Sequence, residues 1–312
     1  MKSLKKNFFR NTFDLLKETY IQFLDDKGFK MAAALSYYCA FSLGPMLIII
    51  ISIAGFIFGE EAARGEIVKE FENLMGKDGA AMIETIIKGA ANKTTGIIAT
   101  IISLVFLILG SLAVFVELQE SLNIIWGVEL RPGKAILTLL KTRLTSLYMV
   151  ITTGFLLITS LVINSFITLA YNYFGNIFSS ILPLANVLNI VSSFIVVTLL
   201  FALIYKYLPD VILTWKYVWF GALITSFLFS IGKYLIGLYL GNSSYSSTYG
   251  AAASMVILFI WIYYSGLILF FGAEFTQVLR NKYGESAIMP DKDGIKIPKV
   301  SELIKQSVEE NK

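Results

Sequence analysis

Long apolar stretches alternate with short polar ones along this chain, at roughly 36–58, 96–116, 145–170, 187–208, 217–240 and 251–273. At about 1.5 Å of rise per residue, each is long enough to cross a hydrocarbon core about 30 Å thick. The runs are nearly uninterrupted, whereas barrel strands would be about ten residues long and alternate in polarity. The pattern predicts an all-α, polytopic membrane protein with six transmembrane helices. Asn172, Asn176 and Pro183 separate the third run from the fourth, and Pro209 in KYLPDVILTWK separates the fourth from the fifth.

The polar segments carry patterns of their own. In residues 8–27, Phe9, Phe13, Leu16, Tyr20 and Phe23 fall on one helical face, with Lys5, Lys6, Arg10 and Lys17 nearby. That fits either a helix at the membrane surface or one packed under the bundle. In 60–93, Ile67, Phe71 and Leu74 form one apolar face and Met82, Ile83, Ile86 and Ile87 another, with GKDG (76–79) between them. Two short amphipathic helices joined by a turn are expected there. After about 281 the chain is polar, and a loose tail is expected. The domain plan is a cytoplasmic N-terminal amphipathic segment (1–35), a six-helix membrane domain (36–276) with an extracytoplasmic helical insert (60–93), and a polar cytoplasmic tail (277–312).

Charge orients this plan. Segment 1–35 holds seven Lys and Arg, and the tail from Arg280 holds seven more. Arg131, Lys134, Lys141 and Arg143 follow the second run, and Lys206 and Lys216 flank the break before the fifth. Loops 171–186 and 241–250 hold none; segment 59–95, with five, runs against the trend. Summed over both sides, the basic residues put both termini in the cytoplasm. The first apolar run starts too late and runs too long for a cleavable signal peptide.

Composition narrows the chemistry. The chain of 312 residues is 56% hydrophobic and 15% charged, against about 25% charged in soluble domains. Its net charge of +4 is too weak a bias to imply nucleic acid. There is no histidine, which removes His-based acid–base catalysis, His–metal sites and His-activated nucleophiles. The one cysteine, Cys39, lies inside an apolar run and reads as a packing residue. No catalytic residue, metal site or cofactor is expected.

AAALSYYCAFSLGPMLIII (32–50), LQESLNIIWGV (118–128), GKYLIGLYL (232–240) and TYGAAASMVILFIWIYYSGLILFFGAEFT (248–276) come in an order that resembles the YihY / virulence factor BrkB family of bacterial inner-membrane proteins. The resemblance runs from about 27 to 282. It implies a six-helix membrane fold. The family long carried a ribonuclease BN label, generally regarded as a misassignment. Transport or lipid translocation has been proposed for members, without a settled activity.

Lys233 is the lone charge in SFLFSIGKYLIGLYL (226–240). It falls roughly 7 Å outward of the middle of the fifth run and about 8 Å inside the outer hydrocarbon edge. An ammonium there either snorkels to headgroups or faces an interior that supplies an acceptor or water. Asn164 falls at similar depth, with Ser165, Thr168 and Ser254 near that level. A cationic pocket here would suit a phosphate or a lipid headgroup. Pro45 removes a backbone donor and kinks the first run. Tyr37 and Tyr38 fit an interfacial belt, whereas Tyr263 and Tyr264, at mid-span, need hydrogen-bond partners in the bundle. The expected substrate contacts are Lys233, Asn164, Pro45, Tyr263 and Tyr264.

Glu274 ends the sixth run near the cytoplasmic surface, about 20 Å or more from Lys233 by span position. Its expected partners are Arg131, Arg143 or Arg280, in a cytoplasmic-end cluster with Glu117, Glu120 and Asn123. Ser226/Ser230 and Gly237/Gly241 permit close helix approach, within the bundle or between protomers. The sequence thus points to a transporter-like inner-membrane protein that handles an anionic or amphipathic solute such as a lipid. The rival is a non-transporting scaffold or envelope assembly factor.

Overall fold

The computed structural model describes residues 2–90, 113–130, 148, 182–241, 251–283, 290 and 294–296. Helices dominate: α1 (Lys2–Asp25), α2 (Gly28–Phe58), α3 (Glu60–Ala90), α4 (113–126), α5 (Leu182–Tyr207), α6 (Trp215–Gly241) and α7 (Ala251–Tyr283). Strands β1 (Val128–Leu130) and β2 (Gly294–Lys296) form one short antiparallel pair.

Three helical stretches are long and apolar enough to cross a membrane: Ile190–Tyr207, Trp215–Ile236 and Met255–Tyr283. A fourth is added if the arms of α2, Gly28–Gly44 and Met46–Ser52, make one span bent by 48°. The bend falls at Pro45, whose backbone lacks the N–H that the helical ladder needs. These four match the first, fourth, fifth and sixth predicted runs. Apart from 113–116 and Tyr148, the second and third runs lie outside the described residues.

Neighbouring helices run antiparallel. The Phe201 and Phe229 rings meet at 5.8 Å between α5 and α6, and Tyr264 of α7 reaches back to the Leu228 carbonyl of α6. Ala32 and Leu35 of α2 pack at Gly266 of α7. The bundle therefore has one end where α2 and α6 begin and α5 and α7 finish, and α1 lies there, with Leu15 against Phe275 and Val278. At the opposite end, α3 covers Leu43, Leu47, Ile50 and Ile51 of α2 and Leu258 and Trp261 of α7. The main core lies toward the α1 end, around the fully buried Leu122, Trp126, Tyr205 and Phe270.

Three sequence expectations change. The insert is one helix rather than two, running through GKDG without a break. Residues from both of its apolar faces, Ile67 and Phe71 before GKDG and Ile83 and Ile87 after it, pack into one core with Leu47 and Ile50 of α2 and Leu258 of α7. The last span does not stop at 273, because Glu274, Gln277 and Arg280 are buried against neighbours and the helix continues to Tyr283. Nor is the tail wholly loose: Gly294–Lys296 pairs with β1, and Pro290 bridges to Val211 between α5 and α6. Turns follow local chemistry. Gly59 (φ 88°) joins α2 to α3, and Gly127 (φ 63°) ends α4 before β1, both in backbone conformations that disfavour a Cβ.

Candidate functional site

The rotation of α6 decides where Lys233 points. Two Gly-xxx-Thr pairs, Gly221/Thr225 on α6 and Gly272/Thr276 on α7, interlock across the antiparallel contact. A Cβ on Gly221 would sit 1.7 Å from Thr276 Oγ1, and one on Gly272 would sit 1.8 Å from Thr225 Oγ1. Each threonine hydroxyl donates to its own glycine's carbonyl at 2.7 Å. Tyr205 of α5 joins them, donating to the Leu269 carbonyl at 2.7 Å and lying 2.8 Å from Thr225 Oγ1. Such small-residue crossings bring backbones close and fix helix orientation.

With α6 held this way, Val218, Gly221, Ala222, Thr225, Ser226 and Gly232 are buried, and Phe227, Ile231, Tyr234 and Leu235 are exposed. Lys233 is half-buried, two turns from Ser226 and on the edge of the inward stripe that faces α5. The Ser226 hydroxyl is fully buried and has no hydrogen-bond partner among the described residues. Among the described residues, none accepts a hydrogen bond or an ion pair from Lys233.

Tyr264 packs directly on Gly232, where a Cβ would lie 1.7 Å from its hydroxyl, and donates to the Leu228 carbonyl at 3.2 Å. It therefore sits at the level of Lys233, already engaged in holding α6 to α7. Tyr263 is half-buried against the main core. Pro45 marks the bend of α2 in the same half of the bundle, between Leu43 and Leu47, which pack with Trp261. Asn164 lies outside the described residues. The register also revises one distance. Glu274 is ten residues beyond Tyr264, which sets it about 15 Å along the axis from the Lys233 level, still out of pairing range.

A second polar group occupies the α1 end. Glu274, Gln277 and Arg280 are buried on α7, and Gln119 and Asn123 are buried on α4. Asp210, in the turn between α5 and α6, ties Gln119 and Asn123 of α4 to that turn. Its Oδ2 accepts from Gln119 Nε2 at 3.0 Å and from Asn123 Nδ2 at 2.8 Å, while its own N–H donates to Asn123 Oδ1 at 2.9 Å. Gln277 donates to the Ile125 carbonyl, and Lys206 to the Leu213 carbonyl. Asn123 thus supplies the amide bonds expected of it. Burial, and then Glu120, push the Glu117 carboxyl above its ordinary range, against the hydrogen bond from Ser121. Glu120 is exposed and turned away from the cluster. Arg131 and Arg143 lie outside the described residues.

Sequence reading passed over Asp210, Gln119, Gln277 and the Gly-xxx-Thr pairs. A signal for the first group was present: Gln119, Asn123 and Trp126 recur at helical spacing on one face. The Gly-xxx-Thr pairs gain meaning only when the two helices are set side by side.

Residues 19–294 match the family model described as Virulence factor BrkB. A UPF0761 membrane protein of Vibrio atlanticus (strain LGP32) is 29% identical over 275 residues, covering 85% of this chain and 83% of that protein. UPF0761 membrane proteins of Psychrobacter sp. (strain PRwf-1) and Alkalilimnicola ehrlichii are 25% and 27% identical. Those alignments cover 89% and 83% of this chain, which spans only 51% and 56% of the two relatives' own lengths. No solved structure matches.

Proposed function

Since the chain belongs to the Virulence factor BrkB family of membrane proteins, we propose that it binds or translocates an anionic or amphipathic solute, such as a lipid, through a polar interior marked by Lys233. The observation that carries this reading is the half-buried Lys233 on an inward edge of α6, with no acceptor among the described residues. An ammonium inside a span costs about 2.5–3.5 kcal/mol on insertion scales, and such residues mark substrate or ion paths. An anionic group arriving as ligand supplies the missing acceptor. The buried Ser226 hydroxyl, two turns along the same edge, extends the polar path toward the α1 end.

On this reading the protein is not an enzyme, which agrees with a sequence without histidine. It sits in a bacterial cytoplasmic membrane with both termini on the cytoplasmic side, as the basic residues direct. Its partners are membrane lipids and the solute, and not nucleic acid.

The scaffold reading has its own support. Asp210, Tyr205, Thr225 and Tyr264 spend their polar groups on neighbouring helices, as a protein built only to be rigid would. Reconstitution separates the two. In vesicles containing the purified protein, flux of a labelled anionic lipid between leaflets is expected to fall at least tenfold on Lys233→Met. Equal flux in wild type and variant would defeat the proposal, and no flux in wild type would favour the scaffold.

A further inference from the structure

We infer that α1 is an interfacial helix at its end of the bundle, docked on α7 by one arc and seated in the headgroup–acyl boundary by another. Its described surface divides into three strips. Leu15, Thr19 and Phe23 are buried, and Leu15 meets Phe275 and Val278 of α7. Next round the helix, Leu16, Tyr20, Phe13, Leu24 and Ile21 span about 140° at 100° per residue. All five are exposed, Phe13 at 67% and Tyr20 at 52%. The third strip, Asp14, Asp25 and Glu18, is acidic. A helix serving only the bundle would carry one apolar arc, and this one carries a second that is left exposed among the described residues.

The bilayer is the occupant that the surroundings fit. The same end of the bundle exposes Tyr207, Trp215 and Trp219, whose rings contact one another at 6.1 Å, and Tyr283 lies there too. Lys206 lies over the Trp215 ring at 5.7 Å, and Lys216 over Tyr217 at 5.8 Å. Aromatic rings with cations at one level mark a membrane–water boundary. The contact of Leu15 with α7 holds α1 at that level. With α7 on one side and lipid under the second apolar arc, the acidic strip is left to the water, and Lys17, on the lipid side, reaches the anionic headgroups.

The test uses the full chain in nanodiscs of phosphatidylethanolamine and phosphatidylglycerol, with Cys39 replaced by Ser. Nitroxides are placed singly at Phe13→Cys, Leu16→Cys, Tyr20→Cys and Leu24→Cys, and at Asp14→Cys, Glu18→Cys and Asp25→Cys. Wild-type folding is expected throughout, since these side chains lie off the buried strip; Lys17→Cys serves as a further lipid-side site. The apolar arc should be several-fold more accessible to oxygen than to a water-soluble nickel chelate, and the acidic strip the reverse. Equal nickel access on both strips overturns the inference. So does protection of the apolar arc from both reagents with short nitroxide–nitroxide distances between chains, which would assign the face to a second copy.

Discussion

At the scale of single residues, contacts across helices explain more than hydrophobicity does. Gly272 is the clearest case. Gly272→Ala places a methyl group 1.8 Å from Thr225 Oγ1 and crowds the Tyr205 hydroxyl, which would lie 2.6 Å away. Overpacking of this kind costs about 1–3 kcal/mol. Unfolding of the detergent-solubilised variant should show that loss, and adding Thr225→Ala should recover part of it. Strict additivity of the two changes would contradict the interlock. Asn123→Ala leaves the buried Asp210 N–H without its acceptor, and a loss of about 1–3 kcal/mol is expected in the same measurement. Lys233 was legible in the sequence because one charge in a greasy run needs no partner to be noticed. Asp210 was not, because an aspartate after a proline in a short turn looks solvated until α4 is brought against it.

Among the elements, four of the six apolar runs appear as helices close to their predicted positions, because the pattern that makes a run lipid-compatible also obliges it to form a helix. The misjudged boundaries have one cause. Hydropathy marks where a helix meets lipid, and helices continue wherever neighbours cover their polar groups, as with Glu274 to Arg280 on α7. GKDG misled in a similar way, since glycines that often make turns are tolerated inside a helix whose flanking Ile67, Ile83 and Ile87 are packed in a core. The continuity of α3 is testable. Asp78→Pro should cost about 3 kcal/mol and lower the melting temperature, because it falls inside an unbroken helix. Two helices joined at 76–79 would accept the proline with little change.

For the whole molecule, the polar groups fall into two tiers with different characters. At the α1 end Asp210 knits Gln119 and Asn123 of α4 to the α5–α6 turn, Gln277 of α7 bonds the Ile125 carbonyl of α4, and β2 pairs with the strand that follows α4. The tier at Lys233 is sparsely bonded: the tyrosine beside it holds helices together, while the ammonium and the Ser226 hydroxyl have no bonded partner among the described residues. A rigid end and an open polar edge in the same bundle are what a solute-handling membrane protein needs. The central claim is that an anionic group occupies the Lys233 edge. Native mass spectrometry of the protein released from bacterial membranes tests it most directly, comparing wild type, Lys233→Arg and Lys233→Met. Retention of an anionic lipid or other anionic solute by wild type and Lys233→Arg, and its loss from Lys233→Met in a variant that stays folded, is the predicted result. Equal retention by all three, or none by wild type, would contradict it.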